Sequence, residues 1–127
     1  MNTLPKTESL KSKTLIRLLF TSGKSDFVYP FKIVYKILNT EEKHPALILI
    51  SVGKKKIKTA VGRNQIKRLF REAYRQHKHP LLNILQEKNR NIALGFIYVG
   101  GKKPDYAFIE DKLKEAISLM TKKFSEE

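Results

Sequence analysis

The stretch from Ala46 to Val52 reads Ala-Leu-Ile-Leu-Ile-Ser-Val, with one small polar side chain in seven positions. A strand that alternates apolar and polar residues needs a packed layer on one face only, whereas one that is apolar almost throughout needs cover on both. The run therefore predicts a central strand with layers above and below it. It is too short to span a bilayer, which takes about 20 residues in a helix, and Met1 to Leu10 lacks a signal-peptide layout. The expectation is a cytoplasmic protein with no membrane partner.

The flanking sequence supplies those layers. Met1 to Lys11 is polar, contains Pro5 and has no sustained apolar period, so a flexible arm is expected over 1–11. Ser12 is placed to cap a helix in which Leu15, Ile16, Leu19 and Phe20 recur at three- and four-residue steps, with Gly23 as a left-handed stop. From Phe27 to Leu38 the period is two, with Phe31, Ile33, Tyr35 and Ile37 on one face and Lys32 and Lys36 on the other. Pro30 divides a short strand from a longer one, and Asn39 to Pro45 reads as a turn. Beyond Val52 come a helix over Thr59 to Lys78, a break at Pro80, and a short extra helix over Leu81 to Glu87. A strand over Ile92 to Val99 follows, then a last helix capped by Asp105 and carrying Ile109, Leu113, Ala116, Ile117, Met120 and Phe124 on one side. The 127 residues suit one domain, 1–127, of α+β class.

Charge narrows the partner. The chain carries 26 Lys and Arg against 12 Asp and Glu, a formal +14, which implies a polyanion. Between Lys54 and His79 there are ten Lys and Arg and one acid, Glu72. Concentration on that scale marks a surface rather than a general aid to solubility. At 100 degrees per residue, Ile66, Leu69, Phe70 and Ala73 share one sector, while Arg63, Asn64, Lys67, Arg68, Arg71, Arg75 and Lys78 fill the other. A solvated helix face normally mixes signs at four-residue spacing, yet this one stacks Arg63, Lys67, Arg71 and Arg75 in mutual repulsion. Arginine also grips phosphate oxygens two at a time, as lysine cannot. Lys54, Lys55, Lys56 and Lys58 precede the helix N-terminus, where unpaired N–H groups already attract anions. These ten residues, Lys54, Lys55, Lys56, Lys58, Arg63, Asn64, Lys67, Arg68, Arg71 and Arg75, are the expected RNA-binding set.

The segment Gly62-Arg63-Asn64-Gln65-Ile66-Lys67-Arg68-Leu69-Phe70-Arg71-Glu72-Ala73-Tyr74, preceded by Ile50-Ser51-Val52-Gly53-Lys54-Lys55-Lys56 and, further upstream, by Leu19-Phe20-Thr21-Ser22-Gly23, resembles the protein component of bacterial ribonuclease P. The likeness extends over nearly the whole chain in the right order. It implies an αβββαβα domain with a four-stranded sheet and a left-handed βαβ crossover. It also implies an accessory subunit of an endoribonuclease that matures the 5′ end of tRNA: a catalytic RNA subunit performs the cleavage, and the protein binds that RNA and the 5′ leader of precursor tRNA. One protein per RNA is implied. By the resemblance Phe20 and Tyr35 line the leader cleft between sheet and first helix, although by spacing alone both read as core aromatics. Gln65 stands where the family usually has arginine, and Ile16 where many members have phenylalanine.

No other chemistry competes strongly. Cysteine is absent, which excludes thiolate metal sites. His77 and His79 point to different sides of a helix, His44 lies in a turn, and the acids are scattered, so neither a protein-bound metal nor a catalytic residue in this chain is expected. Gly100-Gly101-Lys102-Lys103 lacks the spacing of a phosphate loop. No cofactor is expected on the protein alone, with Mg²⁺ expected at the RNA active site of the holoenzyme. The alternative function is that of a ribosomal or other structural RNA-binding protein with no part in cleavage.

Overall fold

The computed structural model describes residues 8–39 and 44–126. Positions 1–7 of the expected arm and 40–43 of the expected turn lie outside the described residues. The elements run α1 (Lys13–Ser22), β1 (Lys24–Val28), β2 (Phe31–Leu38), β3 (Ala46–Val52), α2 (Ala60–His77), α3 (His79–Glu87), β4 (Asn91–Tyr98) and α4 (Tyr106–Ser125). This is the expected order with the short extra helix realised as α3. Pro80 sits in its first turn, where the missing N–H costs no hydrogen bond.

The strands form one sheet in the order β1-β2-β4-β3. β1, β2 and β4 pair antiparallel, and β3 runs parallel to β4. The expected central position of β3 is therefore corrected. β4 is the buried inner strand, and β3 lies at an edge, alternating buried and half-buried residues. The apolar character of both β3 faces has a different cause. Ala46, Ile48, Ile50 and Val52 enter the main core, while Leu47 and Leu49 pack beside a second cluster on the other face.

The open edge of β3 is covered by the chain just before α1. Ser9 bridges Ile48 in parallel, and the Leu10 N–H donates to the Ile48 carbonyl at 2.8 Å. Leu10 is buried, as is Glu8, whose carboxylate receives the Lys78 ammonium at 2.7 and 2.9 Å. The expectation of a flexible arm over 1–11 thus fails for its last part. A strap over 8–10 is held by a backbone pairing, an apolar side chain and a buried ion pair, which protects an edge that would otherwise invite another strand.

Two apolar clusters sit on opposite sides of the sheet. The larger joins Phe31, Ile33, Tyr35, Ile92, Leu94 and Phe96 to Ile66, Phe70 and Tyr74 of α2, Leu81 and Leu85 of α3, and the inner stripe of α4. The smaller joins Leu10, Leu19, Val34 and Ala93, with Leu15 and Ile16 of α1 against them. Each side chain fully withdrawn from water contributes about 1.5 to 3 kcal/mol, so the side carrying α2, α3 and α4 dominates stability. α1 is a lighter cover over part of the other face. Gly23 ends α1 in an extended conformation, φ −74° and ψ 160°, rather than the left-handed one expected. Its need is close approach: a Cβ there would lie 2.4 Å from the Leu19 carbonyl oxygen and 2.9 Å from that of Tyr35.

A candidate RNA interface on α2 and the basic turn

Thr59 caps α2, its hydroxyl accepting from the Gly62 N–H at 3.0 Å. Ile66, Phe70, Ala73 and Tyr74 anchor the helix in the core, with the Phe70 ring 4.8 Å from that of Phe96 and 5.7 Å from that of Phe31. Leu69 is half-buried against the same cluster. Tyr74 extends the predicted stripe by one position. Its phenol is pushed above its ordinary range, first by burial and then by the Glu8 charge, and its hydroxyl has no hydrogen-bond partner among the described residues.

This anchoring sorts the ten predicted residues into two groups. Lys54, Lys55, Lys58, Asn64 and Arg68 are exposed, and Lys67 and Arg71 half-buried. Among the described residues the side chains of these seven make no hydrogen bond or ion pair within the chain. Arg63, Lys56 and Arg75 are engaged in the fold. The Arg63 guanidinium donates through Nη1 to the carbonyls of Ile57 at 2.9 Å and Lys58 at 3.0 Å. Lys56 Nζ donates to the Val99 carbonyl at 2.7 Å, and Ile57 between them is buried. Together they fasten the basic turn to α2 and to the end of β4. Arg75 pairs with Glu72 at 3.0 Å, so the helix's single acid neutralises its last arginine. Lys78, which the wheel places in the same cationic sector, is turned inward to Glu8 with its side chain 11% exposed.

The free groups run along the chain from the turn onto the outer sector of the helix, a strip in sequence order. It begins on the turn at Lys54, Lys55 and Lys58, passes Asn64, Lys67 and Arg68, and ends at Arg71, which borders a depression of about 240 Å³ beside Ser9, Leu10, Lys11 and Leu49. A rigid helix displaying unpaired cations can meet successive phosphates without first breaking internal pairs.

The predicted cleft residues part company. Phe20 is 48% exposed on α1. Tyr35 is 5% exposed and lies on the opposite side of the sheet. Its ring meets Phe124 edge to face at 5.6 Å, and Lys123 Nζ lies 5.4 Å from its centre. The resemblance-based placement of Tyr35 in the cleft is therefore corrected. Side chains alternate along β2, and the residue facing α1 is its neighbour Val34. Among the described residues no three His, Cys, Asp or Glu side chains gather as metal ligands, and no helix is long and apolar enough to cross a membrane.

Residues 4–121 match the family model described as Ribonuclease P. The chain is 36% identical over 114 residues to the ribonuclease P protein component of Porphyromonas gingivalis, a match covering 90% of this chain and 83% of that one. It is 35% identical over 126 residues to the protein of the same name from Chlorobium phaeobacteroides, covering 93% and 85%. Among solved structures, the fold resembles the RNase P protein of Staphylococcus aureus with a TM-score of 0.70 at 24% identity, covering 90% of this chain and 95% of that one. It also resembles that of Thermotoga maritima with a TM-score of 0.66 at 20% identity, covering 88% and 96%.

Proposed function

Because this chain belongs to the ribonuclease P protein component family, we propose that its α2 strip seats the catalytic RNA and that the α1-side face of its sheet receives the 5′ leader of precursor tRNA. As a member it is an accessory subunit of the ribonuclease P endoribonuclease, an RNA-binding protein working with the ribonuclease P RNA in the 5′ maturation of tRNA. The assignment of the two surfaces rests chiefly on one observation, the seven cationic or amide side chains of α2 and its turn that stand without an internal partner.

The physical division of labour follows from the two faces. Lys54, Lys55, Lys58, Lys67, Arg68 and Arg71 neutralise phosphates of a large folded RNA, releasing its counterions. Asn64, exposed among them, offers both donor and acceptor groups for a sugar or base edge. On the other face, exposed Phe20 offers a ring to an unpaired base, an interaction worth about 1 to 3 kcal/mol. Hydrolysis belongs to the RNA subunit in this proposal, with Mg²⁺ held there by RNA oxygens. The protein works in the cytoplasm, one copy per RNA.

Reconstitution tests the whole reading. The chain and its cognate RNA are mixed with precursor tRNA at low Mg²⁺, where the RNA alone cleaves slowly, and 5′ cleavage is followed. The protein is expected to raise cleavage of leader-bearing substrate and to do nothing without the RNA. Tight RNA binding with no effect on cleavage would move the protein to a purely structural RNA-binding role.

A further inference from the structure

The two most exposed aromatic rings among the described residues lie away from both α1 and α2. Phe27 is 59% exposed and Tyr29 52%, and their ring centroids are 6.4 Å apart, tilted by 54°. Neither belongs to either apolar cluster. Phe27 stands on β1, the outer strand, opposite Lys32, which in turn stands opposite Ile97, and Ile97 opposite Ser51. Residues directly paired across strands point to the same face, so Phe27, Lys32, Ile97 and Ser51 form a row across all four strands on the α1 side.

α1 leaves this row open. Its apolar residues pack over Val34, Leu38, Ala93, Leu47 and Leu49, which belong to the rows further along the sheet. Lys32 is accordingly exposed, and Ile97 and Ser51 half-buried. The corner is also basic. The Val99 N–H donates to the Pro30 carbonyl at 2.8 Å, and the Val99 carbonyl accepts from Lys56 at 2.7 Å. The basic turn and the start of the Lys102 and Lys103 loop therefore meet the hairpin that carries the rings. Solvent-facing rings beside the exposed Lys32 suit a nucleotide, whose base stacks while its phosphate is neutralised.

We propose that Phe27 and Tyr29 form a stacking platform for an unpaired nucleotide of the 5′ leader, beyond the part of the sheet covered by α1, with Lys32 against the adjoining phosphate. This rests on the leader reading above. The leader, rather than the catalytic RNA, is the occupant because the row continues the α1-side face, while α2 packs on the opposite one.

The test uses holoenzyme assembled from the full chain and its cognate RNA, with precursor tRNAs whose leaders grow one nucleotide at a time from none to about ten. Phe27→Leu is expected to match the wild type on short leaders and to bind about 5-fold or more weakly once the leader reaches the platform, from the usual strength of base stacking. Tyr29→Leu should act in the same direction. Phe27→Trp, which keeps a stacking face, should stay within about 2-fold of wild type on the same scale of effects, and melting curves confirm that each variant folds. If wild-type affinity rises with leader length and Phe27→Leu follows it at every length, the platform is wrong and the leader reading survives. If the wild type gains nothing from a leader, both fall. An equal loss on all substrates, mature tRNA included, or a loss in Phe27→Trp as large as in Phe27→Leu, overturns the platform, as does a sedimentation shift showing that Phe27 joins two copies of the chain.

Discussion

The α2 strip and the α1-side sheet face make opposite kinds of surface. The strip comes from one helix and the turn before it, presents cationic charge, and is held rigid by the dominant core through Ile66, Phe70 and Tyr74. The sheet face is assembled from α1 and four strands, presents exposed rings at Phe20 and Phe27, and is backed by the smaller cluster around Leu19 and Val34. The comparison teaches that cationic charge by itself does not mark a side chain free of internal partners in this protein. Arg63, Lys56, Arg75 and Lys78 are as cationic as Arg68, yet they are engaged with carbonyls or carboxylates of their own chain.

The largest expected effect separates the two surfaces by salt. Six free cations on the strip, Lys54, Lys55, Lys58, Lys67, Arg68 and Arg71, predict a slope of about −4 to −5 in log affinity against log salt for the catalytic RNA, at ~0.7 to 0.9 per phosphate. The added affinity supplied by a leader should depend far less on salt, since stacking releases few ions. Titrations of the binary complex and of precursor against mature tRNA measure both. A shallow slope for the RNA complex would remove the charge-based half of the comparison.

Next in size is the cost of treating an engaged cation as a free one. Lys78→Ala should lower folding stability by about 3 to 5 kcal/mol, because it strips the buried Glu8 carboxylate of its ammonium partner and leaves it the His44 imidazole at 3.6 Å. Arg68→Ala should leave the melting curve almost unchanged. Replacing both partners, Glu8→Leu with Lys78→Met, should recover most of the loss, and chemical denaturation of the three variants decides it. Arg68→Ala should instead cost about 1 to 3 kcal/mol of RNA affinity through lost charge-assisted hydrogen bonds, and Lys54→Ala under ~1. Arg63→Ala should weaken RNA binding through the loosened turn, and amide exchange at Ile57 and Lys58 should quicken with it.

On the other side of the sheet, Phe20→Ala should weaken leader-bearing substrate by about 1 to 2 kcal/mol and leave stability intact. Tyr35→Ala, a core truncation, should cost about 3 kcal/mol of stability with no preference between precursor and mature tRNA. The smallest effect concerns Glu110, whose carboxyl is held below its ordinary range chiefly by the hydrogen bond from His77 at 2.8 Å. A depressed carboxyl stabilises the fold above its unfolded value and loses that contribution as pH falls through its folded value. Glu110→Gln should therefore be slightly less stable than wild type at neutral pH, with the difference fading under strongly acidic conditions.

The sequence by itself determined most of what is local. The caps at Ser12 and Asp105 were readable because each satisfies an N–H three residues onward. The apolar stripe of α2 was readable because a helix repeats every 3.6 residues. The α+β class and the basic outer face of α2 followed from those periods and from the charge around them. Tertiary structure alone decided where β3 lies, which cations are engaged and which way Tyr35 faces. A period of two groups Tyr35 with Phe31 and Ile33 but does not say which helix covers that side. An apolar strand looks the same in the middle of a sheet and under a strap such as Ser9 and Leu10. Lys78 meets Glu8 across 70 positions of chain. Local periodicity constrains neighbours within a turn or a strand, while contacts so distant in sequence are specified by how the layers close on one another.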